Sequence, residues 1–347
     1  VKTFHCPACE ALVFFENTQC LTCGHTLAFA ADRMEMVTVA NGEAPDPDYR
    51  LCRNYSEHGV CNWAIPADDS PDILCRACAL TQIIPTLDSP ENRLAWAKLE
   101  TAKRRVVYAI LSLELPLMSK RQEATQGLEF QFLADTVTVN GDRSRVLTGH
   151  DNGVITINVA EADDVYREAQ RLKQHEPYRT LLGHFRHEIG HYYWDRLIAN
   201  SDRLEEFRRL FGDERADYAT AVQRHYDEGA PPGWADNFIS AYATTHPWED
   251  WAESWAHVMH MVDALETAQA VGLSVKPARR GEPTLSIPSK APLSRVGDFA
   301  QLVTEWSSLT YVLNNLTRGL GLADAYPFVL SGPVIDKLRF VSSIMVR

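Results

Sequence analysis

The sequence predicts an α+β chain: a short cysteine-bearing module of turns and small strands, then a larger, mostly helical domain with a small β-sheet. Three observations lead there. All eight cysteines fall between positions 6 and 78. From residue 90 onward the apolar residues recur mainly at helical spacing. Two segments, "LEFQFLAD" and "VITINVAEAD", alternate apolar and polar residues as half-buried strands do.

The chain has 347 residues, 45% hydrophobic and 23% charged, which is ordinary for a globular protein with more than one core. No apolar run approaches the roughly 20 residues that span a bilayer. The N-terminal "VKTFHCPACE" lacks the basic-then-apolar order of a signal peptide, so a cytoplasmic protein is expected. A formal charge of −12 argues against general nucleic-acid binding, which neutralises phosphates with Lys and Arg. It argues equally against an anionic membrane surface.

Taken in order, the cysteines come first. "CPAC" (Cys6, Cys9) and "CLTC" (Cys20, Cys23) are two C-x-x-C knuckles ten residues apart. Two-residue spacing lets both thiolates of a knuckle reach one Zn²⁺, and two knuckles complete a tetrahedron. Gly24 supplies the permissive backbone at the second knuckle. A structural zinc ribbon over 1–40 is expected. Cys52, Cys61 and "CRAC" (Cys75, Cys78) form a less regular set that predicts a second four-cysteine zinc over 41–88, with His58 as the spare ligand. A disulfide framework suits short secreted domains and is disfavoured here. Residues 1–88 carry five Lys/Arg against twelve Asp/Glu. A module this acidic is expected to be structural or to face a protein, not a nucleic acid. "NGEAPDPD" (41–48) reads as the linker between its halves.

The remaining domain, 89–347, opens at Asp88-Ser89-Pro90-Glu91, a helix start with proline just inside, and predicts a helix to about 114. Leu94, Leu99, Val106, Val107, Ile110 and Leu111 mark its apolar face. The two strands follow, with turns at 140–142 and 150–153. Helices are then expected over 162–174, from Pro177 to 199, and across "SDRLEEFRRLFG" with a Ser or Asp cap. Three more are expected, over "HPWEDWAESWAHVMHMVDAL" and near 297–318 and 333–345, with a long loop at 272–296.

Within "LLGHFRHEIGHYYWDRL" (181–197), His187 and His191 stand four residues apart, so a helix puts both imidazoles on one face, able to share a metal. Glu188 lies beside them, where it can reach a water on that metal. This is the H-E-x-x-H arrangement of zinc metallopeptidases. A catalytic zinc needs a third protein ligand. The metzincin extension is excluded, because Trp194 and Leu197 stand where it requires glycine and histidine. The segment "YATTHPWEDWAESWAH" offers Glu249, Asp250 and His246 as candidates. His184, His257 and His260 read as packing or polar contacts.

The pattern resembles the gluzincin peptidases of the lethal-factor and related bacterial types. These carry a tyrosine seven residues before a glutamate in an E-x-x-A-E helix, matched here by Tyr242, Glu249, Ala252 and Glu253. The resemblance implies Glu249 as third zinc ligand, Glu253 as the acceptor that orients a ligand histidine, and Tyr242 as oxyanion donor. The whole chain also resembles a bacterial family of zinc-binding metallopeptidases with N-terminal zinc ribbons. Together these imply a zincin-like peptidase domain with one catalytic zinc beside two structural ones, hydrolysing a peptide or protein substrate with Glu188 as general base. A strand such as 153–160 is expected to pair with an extended substrate. The alternative is a zinc-ribbon adaptor or regulatory protein with a weak or inactive peptidase site.

Overall fold

The structure is a computed structural model and describes residues 1–39, 48–67, 73–137, 143–173, 180–286 and 298–345. Most of the 41–48 linker, the 140–142 turn, Pro177 and the end of the 272–296 loop lie outside the described residues. The fold is α+β, with zinc-ribbon cysteine clusters ahead of a helix-rich region with small sheets. The chain divides into two compact units, Val1–Tyr166 and Arg167–Arg347.

In the first unit, β1 (Phe4–His5) and β2 (Leu12–Val13) pair antiparallel. A four-stranded sheet follows, built of β3 (Leu27–Ala30), β4 (Glu35–Thr38), β5 (Tyr49–Leu51) and, after the short helix α1 (Arg53–Ser56), β6 (Trp63–Pro66). Its order is β4-β3-β6-β5, with β3 and β6 parallel. One face buries Ala28, Ala30, Val37, Val39, Tyr49 and Ala64. Phe29 and Trp63 meet at 4.8 Å in an aromatic cluster with Phe4, Phe15 and Tyr108. Such contacts give a module with few residues a core that its strands alone are too short to supply.

β7 (Thr81–Ile83) precedes α2 (Pro90–Ser112), which starts as expected, with Ser89 Oγ accepting from Asn92 N at 3.1 Å and proline at the first turn. Trp96, Leu99, Val106, Val107 and Ile110 are buried, but Leu94 is 62% exposed, off the face its spacing suggested. Next come β8 (Glu129–Leu133), the small pair β9 (Thr136–Val137) and β10 (Arg143–Ser144), then β11 (Gly149–Asp151) and β12 (Val154–Asn158). The sheet order β11-β12-β8-β7 corrects one expectation: β12 is paired on both sides and has no edge to offer an extended peptide.

α3 (Asp164–Lys173) crosses the boundary between the units. The second unit holds α4 (Leu181–Leu197), α5 (Leu204–Phe211), α6 (Tyr218–Glu228), α7 (Pro247–Ala270), α8 (Phe299–Gly319) and α9 (Gly332–Met345). α4 starts four residues after Pro177 because Thr180 caps it, its hydroxyl accepting from Gly183 N at 3.0 Å. α5 has Arg203 at its cap position with no side-chain cap, in place of the expected Ser or Asp. α6 was not expected from sequence. The 272–296 loop holds a short hairpin of Ser274–Val275 with Leu285–Ser286. Among the described residues no helix is long and apolar enough to cross a membrane.

The centre of this unit is the packing of α4 on α7. Gly190 permits it: a Cβ there would meet Ala252 Cα at 2.9 Å and Trp255 Cβ at 3.1 Å. Trp251 Nε1 donates to Gly190 O at 2.8 Å, and Tyr193 stacks on Trp255 at 4.8 Å. Close approach of the two backbones brings side chains from both helices to one point.

Candidate metal centres

Among the described residues, two of three candidate centres lie in the first unit. Cys6, Cys9, Cys20 and Cys23 converge, with Cys6–Cys23 and Cys9–Cys20 sulfurs each 3.6 Å apart. Zn–S bonds of about 2.3 Å at tetrahedral angles place sulfurs roughly 3.8 Å apart. The spacing therefore suits zinc. Gly24 adopts φ +77° at the second knuckle and its N–H reaches Cys20 O at 2.8 Å. Cys52, Cys61, Cys75 and Cys78 also converge, all buried, with Cys61 and Cys75 sulfurs 3.7 Å apart. Backbone N–H groups of Trp63, Cys75 and Cys78 donate to the sulfurs of Cys61, Cys52 and Cys75 at 3.3–3.4 Å. Such donors stabilise thiolates in a buried site. His58 stands apart, its ring tilted at 58° against Trp96 with centres 5.4 Å apart, and is not needed as a spare.

The third centre joins α4 and α7. His187 and His191, one turn apart, have their Nε2 atoms 3.1 Å from each other. Glu249 Oε2 lies 2.9 Å from His187 Nε2 and 3.5 Å from His191 Nε2. Zinc with N and O ligands at about 2.0–2.1 Å separates those atoms by roughly 3.4 Å, so the triangle fits one face of a zinc tetrahedron. Glu249 is 1% exposed, and apart from the two imidazole nitrogens its Oε2 has no polar partner among the described residues. A buried carboxylate oxygen without a donor is costly unless a cation satisfies it. The donor set, the spacing and a buried carboxylate oxygen that faces only the two imidazoles all fit zinc.

Neighbouring groups orient this triangle. His187 donates from Nδ1 to Glu253 Oε1 at 2.7 Å, which leaves Nε2 turned to the other two ligand atoms. Burial disfavours a charged His187, yet Glu249 and Glu253 hold its pKa well above the usual value. Burial likewise opposes ionisation of Glu249, while His191 and His187 hold it well below the carboxylate range. The field that favours a proton at this point also favours a divalent cation. Tyr218 Oη donates to Glu249 Oε1 at 2.6 Å.

Glu188 stands 3.4 Å, Oε1 to Nε2, from His184, and its Oε2 accepts no hydrogen bond among the described residues. Burial raises its pKa, but His184 and the adjacent His187 outweigh that and keep it below the usual value. This holds the Glu188 carboxyl in its ionised form. Tyr242 sits beside His187, ring centres 5.9 Å apart. Burial, then the charge of Glu249, pushes its hydroxyl well above the ordinary phenol range, so it remains a donor.

The competing candidates are occupied elsewhere. Asp250 pairs with Lys337 of α9 at 2.5 Å. His246 caps α7, accepting from Trp248 N at 3.2 Å and donating to Ala216 O at 3.1 Å, so both ring nitrogens are used. His257 shares a 2.7 Å hydrogen bond with Tyr326 Oη, and His260 contacts Arg186. The residue that sequence reasoning missed is Tyr218. Asp217 and Gly229 bracket its helix as a cap and a stop, but nothing in the sequence ties it to Glu249.

A two-histidine helix packed on a glutamate helix, behind four-cysteine clusters, defines a class: zinc-binding proteins of metallopeptidase type. Comparison with known proteins narrows it. Residues 92–344 match the family model described as "Putative zinc-binding metallo-peptidase", and residues 3–89 match a zinc-ribbon domain. The chain belongs to this zinc-binding metallopeptidase family. It is 43% identical over 346 residues to uncharacterized proteins of Mycobacterium bovis and Mycobacterium tuberculosis, covering 99% of this chain and 95% of each relative. No solved structure matches the chain.

Proposed function

We propose that the protein is a zinc-dependent peptidase of gluzincin type, with one catalytic zinc at His187, His191 and Glu249 and structural zincs in the two cysteine clusters. The observation that carries this reading is the triangle of two Nε2 atoms and the otherwise unpartnered Glu249 Oε2, with Glu188 alongside. Zinc at this place supplies a Lewis acid that lowers the pKa of a water to about 7 and polarises the scissile carbonyl. Glu188 takes the proton of the attacking water at Oε2 and delivers it to the amine nitrogen as the C–N bond breaks. Tyr242 donates its hydroxyl to the oxygen on which negative charge develops. Glu253 keeps His187 in the tautomer that presents Nε2.

The domain arrangement in this reading is 1–40 and 41–88 for the two zinc modules and 89–347 for the peptidase, in the cytoplasm. The substrate is a peptide or protein. The ribbons face a protein partner and not nucleic acid: Phe14 and Leu21 are 64% and 94% exposed on the first module, and residues 1–88 together carry five Lys/Arg against twelve Asp/Glu. Retention on a polyanion column in low salt would contradict that assignment.

The test is a zinc count by native mass spectrometry, with peptide-library cleavage, on the wild type, Glu249→Ala and Glu188→Gln. Three zincs should fall to two in Glu249→Ala. Glu188→Gln should keep all three and lose cleavage by about 10²-fold or more. Three zincs with no cleavage of any peptide would favour the adaptor reading. Two zincs in the wild type would remove the third site altogether.

A further inference from the structure

None of the eleven residues of α6 is buried, yet this helix reaches the most enclosed carboxylate of the third centre. Tyr218, its first residue, donates its hydroxyl to Glu249 Oε1 at 2.6 Å. That bond divides the carboxylate. Oε1 is taken by the phenol, while Oε2 faces His187 Nε2 at 2.9 Å and His191 Nε2 at 3.5 Å. A carboxylate with both oxygens free can swing to grip a cation through both, or turn its plane away from the histidines. One whose outer oxygen is pinned presents a single oxygen in a fixed direction.

The phenol is itself held in place. Its ring packs against His246 at 5.3 Å and Trp248 at 6.1 Å, both at the turn that begins α7. Asp217 caps α6 just before it, accepting from Thr220 N at 2.7 Å. The residue that sets Glu249 is thus anchored by the start of the helix that carries Glu249. On the other side of the centre, Glu253 performs the matching task for His187. Two of the three ligands are each oriented by one hydrogen bond from outside the triangle.

We infer that Tyr218 is a positioning residue for the metal centre: its hydroxyl holds Glu249 as a one-oxygen ligand and so sets the affinity and coordination geometry of the cation. The inference rests on the ligand set proposed above. Tyr218 does not touch the reacting atoms in this role.

Tyr218→Phe removes the hydroxyl and keeps the ring against His246 and Trp248. The full chain, with both cysteine clusters zinc-loaded, would be titrated at the third site with zinc against a competing chelator. A parallel titration with Co²⁺ would use its visible absorption as a report of coordination number. The variant should bind the third zinc about 10- to 100-fold more weakly. Its Co²⁺ band should lose intensity, as expected when a carboxylate released from Tyr218 contributes both oxygens. With the third site empty, the unfolding midpoint should move little, so the loss is one of metal binding and not of fold. A lower midpoint with a wild-type Co²⁺ band would mean a merely structural role and would overturn the inference. Zinc affinity within about twofold of wild type, with the band unchanged, would overturn it too while leaving the ligand set standing. Only two metals in the wild type, with His187→Ala changing nothing, would remove the ligand set and this inference together.

Discussion

Glu249 and Asp250 are neighbours with the same charge chemistry, yet one turns to the histidines and the other to Lys337. On a helix, consecutive residues point about 100° apart, so only one of the pair can face α4. Burial pushes Asp250 up to about 7 against the pull of Lys337. Asp250→Ala should leave the zinc count at its wild-type value. It should lower stability by on the order of 3 kcal/mol, because it strands a buried lysine. Loss of the third zinc in that variant would instead mean that Asp250 is the ligand. At Tyr242 the expected effect is kinetic. Tyr242→Phe should lower turnover roughly 10²-fold, as for loss of one oxyanion donor. An effect confined to KM would reassign the hydroxyl to substrate contact.

Among the elements, α4 and α7 act as one device because their backbones touch at Gly190. Gly190→Val should force the helices apart, costing about 1–3 kcal/mol as overpacking does. The same change should weaken the third zinc, since Glu249 moves away from both histidines. Unchanged zinc affinity in a folded variant would show that the centre tolerates helix separation. Where α7 meets α8 and the chain after it, burial pushes His257 down to about 4, with Glu253 opposing. Tyr326, Phe328, Glu253 and His260 surround the ring. An unfolded histidine titrates near 6.5. Between about pH 6.5 and 4 the unfolded chain therefore binds a proton that the native chain does not. Stability should fall as pH is lowered through that window, and His257→Phe should flatten that part of the profile in denaturant unfolding. An identical slope in both proteins would show that His257 is charged in the fold.

For the molecule as a whole, the two kinds of centre should respond differently to metal removal. The cysteine clusters tie together the two- to four-residue strands of the segment before α2, so strong chelation should unfold that segment. A weaker chelator that strips only the third metal should abolish cleavage and leave the far-UV circular dichroism unchanged, because α4 and α7 are packed by Tyr193, Trp251 and Trp255 and not by the cation. Loss of helix signal under the weak chelator would mean that the metal holds the helices together. Acid should also release this metal, since ligand histidines must be neutral to bind it.

What the sequence determined by itself was whatever depends on near neighbours. Knuckle spacing brings thiols together within a turn or two, and i, i+4 spacing sets His187 and His191 on one face. Caps and prolines at Ser89, Pro90 and Pro247 start helices through local hydrogen bonds and a fixed φ. The tertiary structure decided whatever depends on distant approach. It settled which acidic residue of "HPWEDWAE" faces the histidines, since that follows from how α7 rotates against Gly190. It put β12 in the middle of its sheet, because pairing partners come from elsewhere in the chain. It also brought Tyr218, 31 positions from Glu249, to that carboxylate. No local periodicity encodes such a contact. Two side chains that far apart in sequence meet only because the packing of everything between them leaves one place for each.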